Sequence, residues 1–115
     1  MAAIFSSYYF FLQRGFIMSK LESKFQSELI KEIKTRFPGC IVMKTNPGYI
    51  QGIPDLMVVY GEHWFSLECK DSPDAPKRPN QEYYVNKMNE MSFSRFIFPE
   101  NKEEVLNEIQ QAFGL

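Results

Sequence analysis

The chain has 115 residues, of which 44% are hydrophobic, 16% aromatic and 23% charged, and its formal net charge is -1. This length suits one domain with a single core and excludes a multidomain enzyme. The charge balance excludes an intrinsically disordered chain and a strongly basic nucleic-acid arm. The two cysteines lack metal-ligand spacing and His63 is the sole histidine, so we expect no zinc chemistry and a reducing, cytoplasmic setting, or the host cytoplasm for a viral protein.

Residues 1–17 form an apolar N-terminal extension with one charge, Arg14. Polar residues and a glycine interrupt the run, which is shorter than the about 20 apolar residues of a spanning helix. A secretory signal would place its positive charge before the apolar stretch. We therefore expect neither membrane insertion nor export. The codons of Arg14-Gly15 can encode a ribosome-binding sequence, so we expect translation to begin at Met18 and the domain to span 18–115. The alternative is a short apolar arm that packs on a partner subunit.

The first half of the domain is expected to form one helix and three strands. Ser19-Lys20-Leu21-Glu22 is a capping box, which predicts a helix that ends at Phe37 because Pro38-Gly39 follows. The β-rich runs that follow are CIVMKT, DLMVVY and HWFSLECK. Gly61-Glu62 separates the last two runs and predicts an antiparallel hairpin.

The second half begins with a proline-rich loop over residues 71–80. A helix from Asn80 to Met91, the strand FSRFIF and a capped helix from Asn101 to Phe113 are expected after it. The predicted order of elements is therefore αβββαβα.

Three ionisable residues, Asp55, Glu68 and Lys70, lie on the predicted hairpin. The two-residue period of a strand places Glu68 and Lys70 on one face, and Asp55 begins the neighbouring strand, within reach of Glu68. Two carboxylates on adjacent strands form an oxygen-ligand site that suits Mg²⁺, and a nearby lysine orients or deprotonates an attacking water. The alternative is that Asp55 caps a turn while Glu68 pairs with Lys70 at a solvated strand edge.

The segment GIPD at residues 52–55, an apolar hairpin and ECK at residues 68–70 resemble the PD-(D/E)XK nuclease superfamily, in particular small stand-alone nucleases of the VRR-NUC type. The similarity runs over most of Ser19 to Ile109. One departure is Met91-Ser92-Phe93, where the family has a glycine before the last strand. The resemblance implies an α/β fold with a restriction-endonuclease-like αβββαβ core, a mixed central sheet flanked by helices, and then a C-terminal helix.

The resemblance also implies roles for individual residues. Asp55 and Glu68 would hold the metal, and Lys70 would assist the water. The family places a glutamate of its first helix at this site, which Glu22 matches because it continues the apolar stripe of that helix; the alternative is that Glu22 only completes the capping box. Gln81 matches a glutamine of the extended motif and is expected to face the site, or else to lie on the surface.

These interpretations predict a Mg²⁺-dependent endodeoxyribonuclease, with Mn²⁺ able to substitute. The expected substrate is branched DNA such as a four-way (Holliday) junction, cut by a homodimer that uses the apolar arm or exposed rings at Tyr83 and Phe93 for its contact. The alternatives are a restriction or repair nuclease of the same superfamily and a non-catalytic DNA-binding module. The candidate DNA-binding residues are Lys44, Asn46, Tyr49, Gln51, Lys77 and Arg78.

Overall fold

The computed structural model describes residues 18–115, and the predictions for residues 1–17 lie outside this range. The described elements are α1 (Lys20–Arg36), β1 (Ile41–Lys44), β2 (Leu56–Tyr60), β3 (His63–Cys69), α2 (Gln81–Met91), β4 (Ser94–Ile97) and α3 (Lys102–Ala112). The fold is therefore α/β, and the predicted order αβββαβα is confirmed. Over residues 18–115, no helix is both long and apolar enough to cross a membrane.

The four strands form one mixed sheet in the order β1-β2-β3-β4. Both β1 and β3 pair with β2 in antiparallel fashion, which confirms the predicted hairpin, whereas β4 runs parallel to β3. A parallel neighbour requires a crossover connection, and α2 lies in the crossover between β3 and β4.

Helix α1 begins as its sequence predicts. The Ser19 hydroxyl accepts a hydrogen bond from the Glu22 backbone N–H at 3.0 Å, and Lys34 and Arg36 lie in the last turn, where positive charge interacts favourably with the helix dipole. Among the hydrogen bonds of the described residues, the Glu22 carboxylate does not return the bond to the Ser19 backbone. Only half of the capping box is formed, which leaves the Glu22 side chain available for another role.

The core forms where α1 and α3 pack against the sheet. The apolar side chains of α1 that enter it are fully or almost fully buried, and burial of each contributes about 1.5–3 kcal/mol. The buried members are Phe25, Leu29, Ile33, Phe37, Leu56, Val58, Phe65, Leu67, Cys69, Phe93, Ile97, Val105, Leu106 and Ile109.

Helices α1 and α3 are also joined at the surface by an ion-pair network of Glu32, Arg36, Lys102 and Glu103. The Lys102 Nζ lies 2.8 Å from Glu32 Oε2, and Arg36 contacts both glutamates. Contact with Lys102 lowers the pKa of Glu32, and the same contact raises the pKa of Lys102. Each charge in this network therefore has an opposite charge beside it.

Two local expectations are wrong. Asn101 does not cap α3 with its side chain, because its Oδ1 accepts from the Phe98 backbone N–H at 2.9 Å and its Nδ2 donates to the Phe96 carbonyl at 3.1 Å. Phe93 is not an exposed ring for a dimer contact, since it is 5% exposed and belongs to the core, whereas Tyr83 is 58% exposed.

Candidate active site

The β2–β3 hairpin brings Asp55 and Glu68 together. Leu56 pairs with Leu67, so the residues one step further along the two strands, Asp55 and Glu68, are also opposite each other. Asp55 Oδ2 accepts from the Cys69 backbone N–H at 2.9 Å, which fixes the aspartate against β3. Each carboxyl group affects the pKa of the other, and we call them the carboxylate pair.

The carboxylate pair lies in an environment that opposes negative charge. Glu68 is 2% exposed, and its Oε1 has no hydrogen-bond partner among the described residues. Burial, reinforced by the adjacent Asp55 carboxylate, raises the pKa of Glu68 to about 10. Burial also raises the pKa of Asp55. A buried oxygen without a partner has an energetic cost, so this arrangement favours a cation that would neutralise the pair.

Gln81 connects the carboxylate pair to Lys70. Its Nε2 donates to Glu68 Oε2 at 3.1 Å, while its Oε1 accepts from Lys70 Nζ at 2.7 Å and from the Arg78 backbone N–H at 2.8 Å. Lys70 Nζ also donates to the Pro76 carbonyl at 3.0 Å. Gln81 and Lys70 are each 6% exposed. The inward orientation predicted for Gln81 is thus confirmed, and one side chain holds both the acidic and the basic part of the site.

A cavity of about 310 Å³ opens beside the carboxylate pair. Glu22 contributes to it from α1, and burial raises the pKa of the Glu22 carboxyl even though Lys70 lowers it. Lys44 and Arg78 add positive charge to the wall. The lining residues are Met18, Glu22, Ser23, Gln26, Ser27, Lys44, Thr45, Pro47, Asp55, Glu68 and Arg78.

The other four candidate DNA-binding residues do not line this cavity. Asn46 Oδ1 accepts from the Gly48 backbone N–H at 2.9 Å and so stabilises its own loop. Lys77 Nζ lies 4.6 Å from the centroid of the Phe96 ring. Tyr49 and Gln51 are exposed on the loop between β1 and β2.

Thr45 is a positioning residue that the sequence analysis missed. Its Oγ1 donates to the Pro54 carbonyl at 2.6 Å, and its backbone N–H donates to the Asp55 carbonyl at 2.9 Å. These bonds hold the backbone of Asp55 against the end of β1. A threonine at the end of a strand is too common to have indicated this role.

Gly52 fixes the β1–β2 loop against the start of α2. Its φ is +90°, and a Cβ atom placed on it would lie 2.7 Å from the backbone carbon and the Cβ of Asn80. Asn80 itself has a φ of 68° and directly precedes Gln81. Only glycine suits both this conformation and this contact, so the loop and the bridging glutamine are held in one arrangement.

The donor atoms of the site suit a hard divalent cation. Carboxylate oxygens are the ligands that Mg²⁺ prefers, usually one or two of them with several waters, and the unpartnered Glu68 Oε1 is such a donor. Among the described residues, no three acidic, histidine or cysteine side chains are grouped as a ready-made metal-ligand set. Glu22 as a third ligand therefore stays a prediction.

No model of a known protein family matches the sequence, and no curated protein is significantly similar to it.

Proposed function

We propose that this chain is a Mg²⁺-dependent endodeoxyribonuclease with the restriction-endonuclease-like core of the PD-(D/E)XK superfamily. The observation that carries the proposal is the carboxylate pair, which is buried, has an unpartnered oxygen and lies beside a cavity with cations in its wall. Two carboxylates can hold the metal ion of a phosphodiester hydrolase, a lysine can orient or deprotonate the attacking water, and the bridging glutamine keeps these groups in place.

Asp55 and Glu68 would hold the Mg²⁺, with Glu22, which lines the same cavity, as a third protein group. Mn²⁺ would substitute because it accepts the same oxygen ligands. When bound, the cation supplies charge stabilisation for a phosphate oxygen and makes a bound water more acidic. It would also stabilise the charged form of both buried carboxyl groups, which burial by itself opposes.

Lys70 would orient the attacking water and offset the negative charge that develops on the phosphate. An ammonium group has three N–H donors, and within the described residues two of them are directed to Gln81 and to the Pro76 carbonyl. We assign the third to the reacting groups. Gln81 would act through Lys70 and Glu68 by keeping both in place, while Lys44 and Arg78 would contact flanking phosphates.

Branched DNA is the substrate that we propose. One chain offers one such cavity, whereas symmetric resolution of a four-way junction requires two cuts, which a two-fold dimer supplies most simply. We therefore propose a homodimer. Light scattering at micromolar protein, with and without residues 1–17, measures whether the dimer exists and whether the arm forms it.

The central experiment is a cleavage assay with four-way, flap, duplex and single-stranded DNA in Mg²⁺, Mn²⁺ or EDTA. We expect cutting in either metal, no cutting in EDTA, and the fastest cutting on the four-way junction. Lys70→Ala should lose most of the activity, and its metal affinity should stay level or rise because a neighbouring cation has been removed. The matched control is Lys87→Ala, which changes an exposed lysine of α2 and should cut normally.

The outcomes separate the parts of the proposal. Metal-independent cutting, or no cutting of any DNA, would contradict the nuclease assignment. A monomer that cuts flaps or single strands faster than junctions would contradict only the preference for junctions and the dimer.

A further inference from the structure

The most exposed aromatic side chain among the described residues is Tyr49, which lies on the loop between β1 and β2. Its side chain is 84% exposed, compared with 58% for Tyr83. An aromatic ring gains most of its stabilisation from burial, so a ring in this position contributes little to folding. Stability of the fold therefore does not explain why an aromatic residue occupies this exposed position.

The backbone that carries Tyr49 is well ordered by local hydrogen bonds. The Tyr49 and Ile50 N–H groups donate to the Asn46 carbonyl at 3.0 and 3.3 Å, and Ile53 N–H donates to the Ile50 carbonyl at 3.2 Å. The contact of Gly52 with Asn80 closes the other end of the loop. Because folding has already fixed this backbone, a ligand that stacks on the ring would lose little entropy in ordering it.

The loop that carries Tyr49 also contributes residues to the cavity wall. Residues on the N-terminal side of the same loop, Thr45 and Pro47, line the cavity with Lys44, and Asp55 follows on its C-terminal side. A nucleic acid whose phosphate enters the cavity therefore has a neighbouring nucleotide near this loop. Lys44 and Arg78 provide charge for the phosphates, while the tyrosine provides an apolar π surface.

We infer that Tyr49 stacks on an unpaired base next to the phosphate that is cut, so that the substrate class is DNA with open or splayed base pairs at that point. This inference rests on the nuclease function proposed above. Aromatic rings stack on any base, because every base has a π face. In a continuous duplex both faces of each internal base are covered by its neighbours. A single-stranded segment exposes such a face, and at a branch point the interrupted stack opens at a lower cost than within a duplex, so the ring would distinguish branched DNA from linear duplex without reading sequence.

The test compares binding of a four-way junction and of a linear duplex with the same arm sequences, in Ca²⁺ so that binding is measured without cutting. The proteins are the wild type, Tyr49→Ala, Tyr49→Phe and the control Met91→Ala, which shortens another exposed side chain, each at a concentration where light scattering shows the wild-type oligomeric state. Stacking contributes about 1–3 kcal/mol per base, which corresponds to about 5- to 150-fold in affinity. We expect Tyr49→Ala to lose about 10-fold or more on the junction and less than about twofold on the duplex.

Tyr49→Phe should bind like the wild type, since stacking does not require the hydroxyl group, and Met91→Ala should leave the junction-to-duplex ratio unchanged. A 2-aminopurine base placed next to the branch point should change its fluorescence with the wild type and Tyr49→Phe but not with Tyr49→Ala. Melting temperatures confirm that each variant is folded.

Several results would overturn the inference. An unchanged junction affinity of Tyr49→Ala would show that the ring does not contribute to binding. An equal loss of affinity on both DNAs would indicate a general contact and not recognition of an unpaired base. If Tyr49→Phe resembles Tyr49→Ala, the hydroxyl group and not the ring face makes the contact. In each of these cases a wild-type protein that cuts DNA in Mg²⁺ leaves the nuclease proposal standing. A wild-type protein that neither binds nor cuts DNA overturns both.

Discussion

The ion-pair network and the carboxylate pair use the same kinds of side chain in opposite ways. In the network, every charged group lies beside an opposite charge near the surface, and the pKa shifts of Glu32 and Lys102 both favour the charged forms. In the carboxylate pair, two acids face each other in a buried position, and the pKa of Glu68 rises to about 10.

The difference identifies the region of the molecule that is arranged for something other than stability. Burial of charge is costly unless an opposite charge or hydrogen bonds compensate for it. The network is complete within the chain, whereas Glu68 Oε1 lacks a partner among the described residues. Strongly shifted pKa values in a cavity are typical of functional sites, so the carboxylate pair is where a ligand from outside the chain is expected.

The largest expected effect comes from removing one charge of the carboxylate pair. Asp55→Asn or Glu68→Gln should lower cleavage by about 1,000-fold, because loss of a ligand removes several kcal/mol of metal-dependent stabilisation. Each substitution changes little volume, so the melting temperature without metal should stay level or rise. Mg²⁺ should raise the melting temperature of the wild type but not of the variants. Cutting at a near wild-type rate would show that the assignment is wrong.

A smaller effect is expected from Glu22→Gln, which separates the site role from the capping role. Glutamine retains a side chain suited to the capping box, so a residue that only caps would tolerate the change. We expect a loss of about 10- to 100-fold in cleavage rate, the range for groups that support a metal site, with an unchanged melting temperature. Glu28→Gln, on the exposed face of α1, is the matched control. Normal cutting by Glu22→Gln would remove it from the site.

The two regions should respond to pH with opposite slopes. The pKa of Glu68 is raised from 4.5, so its contribution to stability is complete below about pH 4.5 and is lost as pH rises toward the folded value. Without metal, the wild type should therefore lose stability relative to Glu68→Gln between about pH 5 and 9. The pKa of Glu32 is lowered, so its contribution is present above pH 4.5 and is lost as pH falls further. Urea unfolding of the wild type, Glu68→Gln and Glu32→Gln from about pH 3 to about pH 9 measures both slopes, and parallel curves would contradict the comparison.

The smallest effect is expected from Glu103→Gln in the ion-pair network. Its side chain is 63% exposed, and exposed ion pairs contribute about 0.2–1 kcal/mol. Urea unfolding should detect a destabilisation no larger than this, which 0.5 M NaCl should reduce by screening. Cleavage should not change, and a loss of activity would link the two regions.

The sequence predicted those features that depend on neighbouring residues or on a single strand pair. The Gly61-Glu62 turn set the register of the hairpin, and the register placed Asp55 opposite Glu68. The bridge made by Gln81 was less accessible, because helix periodicity indicates that the side chain faces inward but does not identify its partners. The predictions for Asn101 and Phe93 were wrong for different reasons. The Asn101 side chain bonds to the backbone of the preceding turn, at Phe98 and Phe96, instead of to the helix. Phe93 packs into the tertiary core, which its place at a strand end does not indicate.

The close contact at Gly52 affects where this domain can tolerate insertions in its loops. Around Gly39 and Gly61, an added Cβ would meet no atom within 4 Å, so extra residues in those turns would extend into solvent. At Gly52, any added atom meets the backbone in front of α2. A side chain or an extra residue at Gly52 would therefore push the β1–β2 loop away from the start of α2, so changes in chain length should be tolerated better at the turns of Gly39 and Gly61.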